Sequence, residues 1–278
     1  MKILSYNVNG LKAFNNSGKL TQLMHDFPDY DIYCFQEAKC NDEKVVADIA
    51  ASCKLSYLLN ANSLKKGYAG VVTLVRDGLG AVSRAVDIDM PIDENIDSKY
   101  AQYTQYTQYI GGRIIETCVN DTFYVINVYV PNSGNKESLR IAWDAAFRKY
   151  ISSLDKPFVI CGDMNVCATE IDYHGNYAKT INKMPGLMQF EIDDFVALLN
   201  ECHVSDAFRM LHPGERRYSW CSGMMRTVNP DKGWRLDYFL VSESMKEHVE
   251  RCDVMQGYQA PDHSPITISI DSTDFNNF

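Results

Sequence analysis

The sequence predicts an α/β fold, with a β-sheet core and helices packed outside it. Short apolar segments of strand length recur along the chain, helical periodicity appears between them, and the strands outnumber the clear helices. No stretch has the composition of a flexible linker. We therefore predict a single domain over residues 1–278.

Six segments have the apolar and β-branched composition of buried strands. The third reads FYVINVYV and is almost continuously apolar or aromatic. The last alternates, which places Ile266, Ile268 and Ile270 on one face. The predicted strands cover residues 3–6, 70–76, 123–130, 158–161, 236–241 and 265–270.

Two longer segments show the period of an amphipathic helix, over residues 139–154 and 191–202. In each, apolar side chains return every three or four positions and form one stripe. The predicted stripes are Trp143, Phe147, Tyr150, Ile151 and Leu154 in the first helix, and Ile192, Phe195, Val196, Leu199 and Cys202 in the second.

The composition is that of a soluble globular protein, with 46% hydrophobic and 23% charged residues. The amino terminus does not have the pattern of a signal peptide, and no apolar run is long enough to cross a bilayer. The nine cysteines are scattered without zinc-site spacing. We therefore expect free thiols, no membrane association, a nuclear or cytoplasmic location, and a monomer.

The net charge of −9, from 27 basic and 36 acidic side chains, argues mildly against nucleic acid as a partner. A site that holds a divalent metal with carboxylates adds negative charge to any nuclease, however. The local basic segments Lys65–Lys66 and Arg216–Arg217 could still face a phosphate backbone.

Polar groups recur where the predicted strands end. These residues are Asn7, Asn9, Glu37, Tyr129, Asn132, Asp163, Asn165, Asp237, Asp262 and His263. Loops at one rim of a sheet converge, so residues distant in the chain can form one site. Carboxylate and amide oxygens suit Mg²⁺, and a histidine beside a carboxylate has a fixed tautomer. Together they fit hydrolysis of a phosphate diester by an activated water.

Each of these residues alone has a structural interpretation. Glu37 suits a solvated strand end, and the Asp262–His263 dipeptide suits a turn. Asp163 suits an Asx-turn or a helix cap. Asp237 lies in an apolar strand and could bond a backbone amide. Only the combination favours a catalytic site.

Two further segments are open to two interpretations. Tyrosine recurs every third position in YAQYTQYTQY, residues 100–109, which suits stacking on unpaired bases, an inserted and partly ordered loop, or one face of a short helix. The pair Met224–Met225 suits either a wedge between DNA bases or a flexible loop.

Eight motifs resemble those of the exonuclease III-type AP endonucleases, which belong to the endonuclease/exonuclease/phosphatase superfamily. They occur in the order YNVNGLKA, FQEAK, GYAGVVTL, VYVPN, WDAAFRKY, VICGDMNV, GWRLDYFLVS and DHSPI, over residues 2–270. The GDxN and DH elements occur across the superfamily, whereas GWRLDYFLVS is specific to the AP endonuclease branch.

The resemblance implies a four-layered α/β sandwich, in which helices cover two packed mixed sheets. It implies a DNA-(apurinic or apyrimidinic site) endonuclease of base excision repair, which cuts duplex DNA 5′ to an abasic site and leaves a 3′-OH. It further implies Mg²⁺, with Mn²⁺ as a substitute, and associated 3′-phosphodiesterase and 3′→5′ exonuclease activities.

The resemblance also implies catalytic roles. Asp163 would activate or orient the attacking water, supported by Asn165. His263 would bind the scissile phosphate, oriented by Asp237, and Tyr129 would stabilise the phosphorane. The implied metal ligands are Glu37 as the principal one, with Asn9, Asp163, Asn165, Asp262 and His263. The implied substrate contacts are Asn7, Lys39, Tyr68, Asn132, Trp234 and Leu236.

The resemblance implies that Trp234 and Leu236 form walls of the pocket for a flipped abasic sugar, whereas without the resemblance a core position would be the favoured interpretation of Trp234. The chain departs from the family where Asn9 replaces a frequent Asp, which should weaken metal affinity. Ser219 stands where the family often has an aromatic wall. Two alternative functions are another phosphoesterase of the superfamily and a damage-binding protein without catalysis.

Overall fold

Two six-stranded β-sheets pack face to face, and helices cover their outer surfaces. The computed structural model describes residues 1–90, 107–222, 232–256, 258 and 262–271. This arrangement confirms the predicted four-layered α/β sandwich. Most of the tyrosine-rich segment and the Met224–Met225 pair lie outside the described residues.

The first sheet has the order β11-β12-β1-β2-β4-β3. Its strands are β1 (Lys2–Asn7), β2 (Ile32–Gln36), β3 (Leu55–Asn60), β4 (Val71–Arg76), β11 (Val249–Val254) and β12 (Ile266–Ile270). Only β1 and β2 run parallel, and the other neighbouring strands are antiparallel.

The second sheet has the order β5-β6-β7-β8-β10-β9. Its strands are β5 (Ala81–Val86), β6 (Ile114–Val119), β7 (Phe123–Tyr129), β8 (Phe158–Asp163), β9 (Val204–Asp206) and β10 (Asp237–Ser242). Again one central pair, β7 and β8, is parallel and the rest are antiparallel. Each sheet therefore has two neighbouring central strands that end at the same rim.

The described helices are α1 (Leu11–Asn16), α2 (Lys19–Asp26), α3 (Glu43–Cys53), α4 (Glu137–Ser152), α5 (Tyr177–Thr180), α6 (Gln189–Glu201) and α7 (Ala207–Leu211). Three short 3-10 helices cover Thr107–Tyr109, Glu170–Asp172 and Glu243–His248. Side chains cap the N-termini of three of the described α-helices. The Asp42 carboxylate accepts from the Lys44 amide in α3, Asn176 Oδ1 accepts from the Lys179 amide in α5, and Asp206 accepts from the Arg209 amide in α7.

Three apolar clusters hold the layers together. Residues of both sheets, such as Ile3, Cys34 and Val159, fill the space between them. Helices α1 to α3 pack on the outer face of the first sheet, and α4 and α6 pack on the second. In α4 the buried Trp143 ring stacks on Phe147 with 5.0 Å between centroids.

The space between the sheets turns polar towards the rim where β2 and β7 end. The Gln36 amide donates to Asn127 Oδ1 at 2.8 Å and to Ser5 Oγ at 2.9 Å. Asn127 in turn donates to the Val72 carbonyl at 2.9 Å. These bonds join the two sheets directly behind Glu37 and Tyr129, and buried groups paired in this way fix the register of one layer on the other.

The predicted strands and both helices are present, with ends displaced by one or two residues. One detail of the helical stripe was wrong. Val196 is 44% exposed, whereas Ile192, Phe195 and Leu198 are buried. Val196 follows Phe195 by one position, which turns its side chain by about 100° away from the buried face.

All nine cysteines lie in the described ranges, and none of them forms a disulfide. Among the helices described, none is long and apolar enough to cross a membrane.

Candidate active site

The strand ends bring the predicted polar residues to one rim. Tyr129 is paired with Asp163 across β7 and β8, and Asp163 is paired with Asp237 across β8 and β10. Three functional side chains therefore stand in one row over three adjacent strands. Asn7 ends β1 on the facing sheet, and Glu37 directly follows β2.

Gly162 makes the approach of β7 and β8 possible immediately before Asp163. Its φ is +141°, and a Cβ atom there would lie 1.9 Å from the Val128 carbonyl oxygen. A side chain at this position would collide with backbone, so only glycine fits.

Each sheet presents the same turn at this rim. In the first, the Asn9 amide donates to Asn7 Oδ1 at 3.1 Å, and in the second the Asn165 amide donates to Asp163 Oδ1 at 2.8 Å. Both Asn9 and Asn165 have φ of +47°, in the left-handed region that asparagine tolerates well. The Asx-turn predicted as an alternative for Asp163 is thus present, and Asp163 also lies in the site.

Asn7 links the two sheets at the centre of the site. Its Nδ2 group donates to Glu37 Oε1 at 3.0 Å and to Asp163 Oδ2 at 2.8 Å. Asn7 is fully buried and Asp163 is 1% exposed. One amide therefore holds two carboxylates close together, at a point where their mutual repulsion opposes assembly.

Lys39 and Asn9 complete the Glu37 side of the site. The Lys39 ammonium lies 2.8 Å from Glu37 Oε2 and also donates to Asn9 Oδ1. Burial would raise the pKa of Glu37, but the hydrogen bonds from Lys39 and Asn7 lower it. Asn9 Nδ2 donates to Asp262 Oδ1 at 3.3 Å, which connects Asp262 to the same group.

The chain between Glu37 and Lys39 has an unusual backbone. Both residues have left-handed φ, at 49° and 48°. Such a conformation costs an ordinary residue about 1–2 kcal/mol. Hydrogen bonds to the loop of Gly70 hold it, since the Ala38 amide donates to the Gly70 carbonyl and the Lys39 amide donates to the Ala69 carbonyl, each at 2.8 Å.

His263 lies between two buried aspartates. Its Nδ1 is 2.8 Å from Asp237 Oδ2, and its Nε2 is 3.9 Å from Asp163 Oδ2. Burial would lower the pKa of His263, but the charges of Asp237, Asp163 and Asp262 outweigh it and raise the pKa to about 10. Burial and the charge of Asp237 raise the pKa of Asp163 to about 7.

Tyr129 and Asn132 lie beside the Asp163 turn. Burial and the charge of Glu37 hold the pKa of Tyr129 well above its usual range, so its phenol remains a donor. Asn132 Nδ2 donates to Asn165 Oδ1 at 3.2 Å. Asn165 Nδ2 donates to the Val130 carbonyl at 2.9 Å, which ties the two loops together.

Tyr68 stands apart from this group. The guanidinium of the buried Arg113 lies between the Tyr68 and Tyr129 rings, 5.6 Å and 4.9 Å from their centroids. Tyr68 does not line the cleft described next, and it reaches Tyr129 only through Arg113.

A cleft of about 630 Å³ opens over these groups. One wall is polar and includes Glu37, Asp163 and His263. The rest of the lining is largely apolar and aromatic, and we call Tyr173, Met184, Pro185, Trp220, Trp234 and Leu236 the aromatic wall. The hydrolytic groups therefore lie beside a surface suited to the apolar side of a substrate, and Trp220 pairs directly with His263 through an isolated β-bridge.

Trp234 is both a core residue and a cleft wall, so the two sequence interpretations hold together. It is 8% exposed, and its ring packs against Trp220 at 5.2 Å and Tyr173 at 5.6 Å. A Cβ atom on Gly186 would lie 3.1 Å from its ring. Leu236 lines the cleft beside it.

Trp234 and Leu236 were identified as pocket walls from the resemblance, but Tyr173 and Trp220 were not found from the sequence. Ser219 is 1% exposed, and its Oγ accepts from the Leu236 and Asp237 amides at 3.0 Å each. Trp220, one residue later, lines the cleft and donates from Nε1 to Asp262 Oδ2 at 3.3 Å. Tyr173 and Trp220 lie in irregular segments without periodicity, so no sequence signal marked them.

Arg140 was also missed from the sequence, although its hydrogen bonds hold two loops of the site in place. Its guanidinium donates to three carbonyls of the loops that carry Asn132 and Asn165. The acceptors are Pro131 at 2.9 Å, Asn165 at 3.2 Å and Met164 at 3.0 Å. Asp144 accepts from its Nε at 2.7 Å, and Arg140 is 2% exposed.

The structure thus brings together thirteen of the fourteen predicted site residues at the rim or in the cleft wall, and it connects Tyr68 to them only through Arg113. The thirteen are Asn7, Asn9, Glu37, Lys39, Tyr129, Asn132, Asp163, Asn165, Trp234, Leu236, Asp237, Asp262 and His263.

These groups define a class of enzyme, a phosphoesterase that gathers acids, amides, a phenol and an imidazole at one rim of two packed sheets. The chain belongs to the endonuclease/exonuclease/phosphatase family, whose model matches residues 4–257.

Its relatives are nucleases. The DNA repair nuclease APEX1 of Danio rerio is 32% identical over 275 residues, covering 96% of this chain and 81% of that protein. An exodeoxyribonuclease of Bacillus subtilis is 32% identical over 276 residues, covering 97% and 99%. The AP endonuclease LMAP from Leishmania major has a TM-score of 0.79 at 26% identity, covering 96% and 86%. The predicted resemblance, fold and enzyme class are confirmed.

Proposed function

We propose that this chain is a divalent-metal-dependent endonuclease that cuts duplex DNA on the 5′ side of an abasic site and leaves a 3′-OH. The observation that carries the proposal is the cleft, in which Glu37, Asp163 and His263 lie beside the aromatic wall that includes Trp220 and Trp234. The similarity to AP endonucleases over nearly the full chain supports the same substrate. A monomer and a nuclear or cytoplasmic location remain predictions from the sequence.

The donor set fits a hard divalent cation. Glu37 Oε2 and Asn9 Oδ1 already converge on one cationic group, the Lys39 ammonium. Asp163, Asp237 and His263 offer ligand atoms within 4.8 Å of one another. Asp237 Oδ1 is buried and has no hydrogen-bond partner among the described residues. Oxygen donors of this kind prefer Mg²⁺, with Mn²⁺ as a substitute.

Glu37 would hold the metal as principal ligand, with Asn9, Asp163, Asn165 and Asp262 as further ligands, whereas the protonated His263 would contact the phosphate and not the metal. The bound ion would neutralise charge on the scissile phosphate and polarise it towards attack. The Lys39 ammonium contacts both Glu37 Oε2 and Asn9 Oδ1, so it is placed to contact the phosphate or to move aside when the ion binds.

The remaining steps belong to the protein's own side chains. Asp163, with a pKa near 7, is suited to orient a water molecule and accept its proton. His263 is held protonated by its aspartate neighbours and can donate from Nε2 to a phosphate oxygen. Tyr129 keeps its proton and can donate to the developing phosphorane.

The aromatic wall supports a preference for a sugar without a base. An abasic nucleotide is flipped out of the duplex at low cost, because no pairing or stacking of its base is lost. Trp220, Trp234 and Leu236 offer an apolar surface to the bare deoxyribose, and the exposed Asn132 adds a polar group to the lining of the same cleft.

The test is a nicking assay on a duplex that carries one tetrahydrofuran lesion, with Mg²⁺ and then with EDTA. We expect one cut on the 5′ side of the lesion, lost in EDTA and in the Asp163→Asn variant. The same duplex without the lesion is the control for specificity. The variant, purified in parallel, is the control for contaminating nuclease.

Two results would reject the proposal. Hydrolysis of a phosphoinositide without any nick would indicate another phosphoesterase of the family. Tight lesion binding without EDTA-sensitive cleavage would indicate a damage-binding protein.

A further inference from the structure

Two lysines and two tyrosines form a cluster beside the rim of the cleft, and we call Lys65, Tyr68, Tyr109 and Lys136 the lysine–tyrosine cluster. The Lys65 ammonium lies 4.4 Å from the centroids of both tyrosine rings. The Lys136 ammonium lies 4.4 Å from the Tyr109 ring, and the two rings meet edge to face at 5.4 Å. Two cations therefore share one aromatic ring.

The cluster is continuous with the catalytic groups. Arg113 donates from Nη2 to the Tyr68 hydroxyl at 3.4 Å and from Nη1 to the Tyr129 carbonyl at 2.9 Å. Lys136 lies four residues after Asn132, on the loop that leads from β7 into α4. A strand of DNA whose scissile phosphate lies beside Tyr129 would pass next to these lysines.

The charges of the cluster are not compensated locally. Within the part of the chain that the structure describes, neither Lys65 nor Lys136 has a carboxylate within 4.0 Å, and unlike the other lysines without such a partner they lie against one and the same tyrosine ring. Aromatic faces attract an ammonium but do not neutralise it. In a chain of net charge −9, two unpaired cations held side by side indicate an anionic partner.

The position of Lys136 supports this interpretation independently. It is the N-cap residue of the 16-residue helix α4 and makes no side-chain capping bond. Asp, Asn, Ser or Thr normally stabilise this position, because the helix dipole places partial positive charge there. A lysine at this position is less favourable for the free helix than a capping residue, although Glu137 in the first turn offsets part of its charge, and it favours a phosphate near the helix end.

We propose that the lysine–tyrosine cluster binds the phosphate backbone of the DNA strand next to the cleaved phosphodiester. The proposal rests on the proposed function, because it assumes that the ligand of the cleft is DNA. Lys65 and Lys136 each contact one phosphate, and Tyr109 holds their ammonium groups in place. The cluster supplies a local cationic path over an otherwise acidic protein.

The test measures binding of the tetrahydrofuran duplex in EDTA, by fluorescence anisotropy from 50 to 200 mM KCl. Each lost phosphate contact lowers the slope of log K against log[KCl] by about 0.9. We expect Lys65→Met and Lys136→Met each to lower the slope by about this amount, and the double variant by about twice as much. Tyr109→Leu should weaken binding more than Tyr109→Phe, which keeps the ring.

The matched control is Lys156→Met, which removes the same charge. Lys156 precedes β8 at the opposite rim of the sheet and pairs with Asp121. Its slope should equal that of the parent. Slopes for the cluster variants equal to the control, in a protein that cuts the abasic duplex, would overturn the proposal. A reduced slope in a protein that does not cut would support the cluster while rejecting the proposed endonuclease.

Discussion

Replacing Arg140 should damage catalysis without touching any group that contacts substrate. Arg140→Met keeps the length of the side chain but removes the donors to Pro131, Met164 and Asn165. It also leaves Asp144, which is 8% exposed, without its partner. Both loops that carry amide groups of the site lose their common anchor.

The size of the effect follows from these contacts. Removing one member of a buried ion pair costs about 3–5 kcal/mol of folding free energy. For a chain of this length, each kcal/mol lowers Tm by about 2 °C, so Arg140→Met should lose roughly 6–10 °C. If the Asn165 loop shifts by about 1 Å, kcat falls by about 100-fold. KM should change less, because the aromatic wall is untouched.

The assay pairs urea unfolding with single-turnover cleavage of the tetrahydrofuran duplex. Asp144→Asn is the matched control, since the amide oxygen still accepts from Arg140 and the residue touches neither loop. Burial raises the pKa of Asp144 to about 6, so the carboxylate is mostly ionised at neutral pH and Asp144→Asn also removes one charge of the buried pair, which lowers stability while leaving the loop contacts in place. We expect its kcat within about 3-fold of the parent, on the scale of an ordinary buried hydrogen bond.

The conservative variant Arg140→Lys adds a second check. An ammonium can still donate to some of the three carbonyls, and we expect partial recovery of kcat over Arg140→Met. Folded Arg140→Met and Arg140→Lys proteins that both cleave at the parental rate would show that Arg140 only stabilises the fold.

Three further outcomes follow from the site. Glu37→Ala should raise the Mg²⁺ concentration needed for half-maximal cleavage by about 10- to 100-fold, which is the effect of losing groups that support a bound metal. An unchanged metal titration would exclude Glu37 as the principal ligand. Trp234→Ala should increase cleavage of undamaged duplex relative to the lesion; equal loss on both substrates would mark a purely structural tryptophan. In EDTA, His263 should contribute stability that is complete below pH 6.5 and is lost as the pH rises through about 10, because its pKa is raised on folding. Asp237→Asn should flatten that part of the stability–pH curve measured in urea, and an unaltered curve would contradict the pairing.

The site residues at strand ends were predictable because the regular pattern of a strand fixes where each strand ends. Asp163 and Asn165 follow an apolar run, and residues after such runs meet at the rim of a sheet. The side chains that Asn7 joins across the sheets were each identified from the sequence. The bonds from Asn7 to both Glu37 and Asp163 depend on how one sheet lies on the other, which no local pattern encodes.

The parts that were missed depend on tertiary contacts of irregular or misleading segments. Arg140 lies in a helix whose polar residues suggest a solvent face, yet it turns inward because three loop carbonyls need a donor. Trp220 and Tyr173 pair with Trp234 through isolated β-bridges, outside any periodic stretch. The prediction that Val196 is buried was wrong for a related reason, because the predicted apolar stripe was one position too wide and included a residue of the exposed face.

The paired Asx-turns have a consequence for when the protein becomes active during folding. Each sheet contributes part of the catalytic site, and the hydrogen bonds of Asn7 join the two parts. A chain in which only one sheet has formed therefore lacks a complete site. Cleavage activity should therefore appear during refolding only after both sheets have assembled.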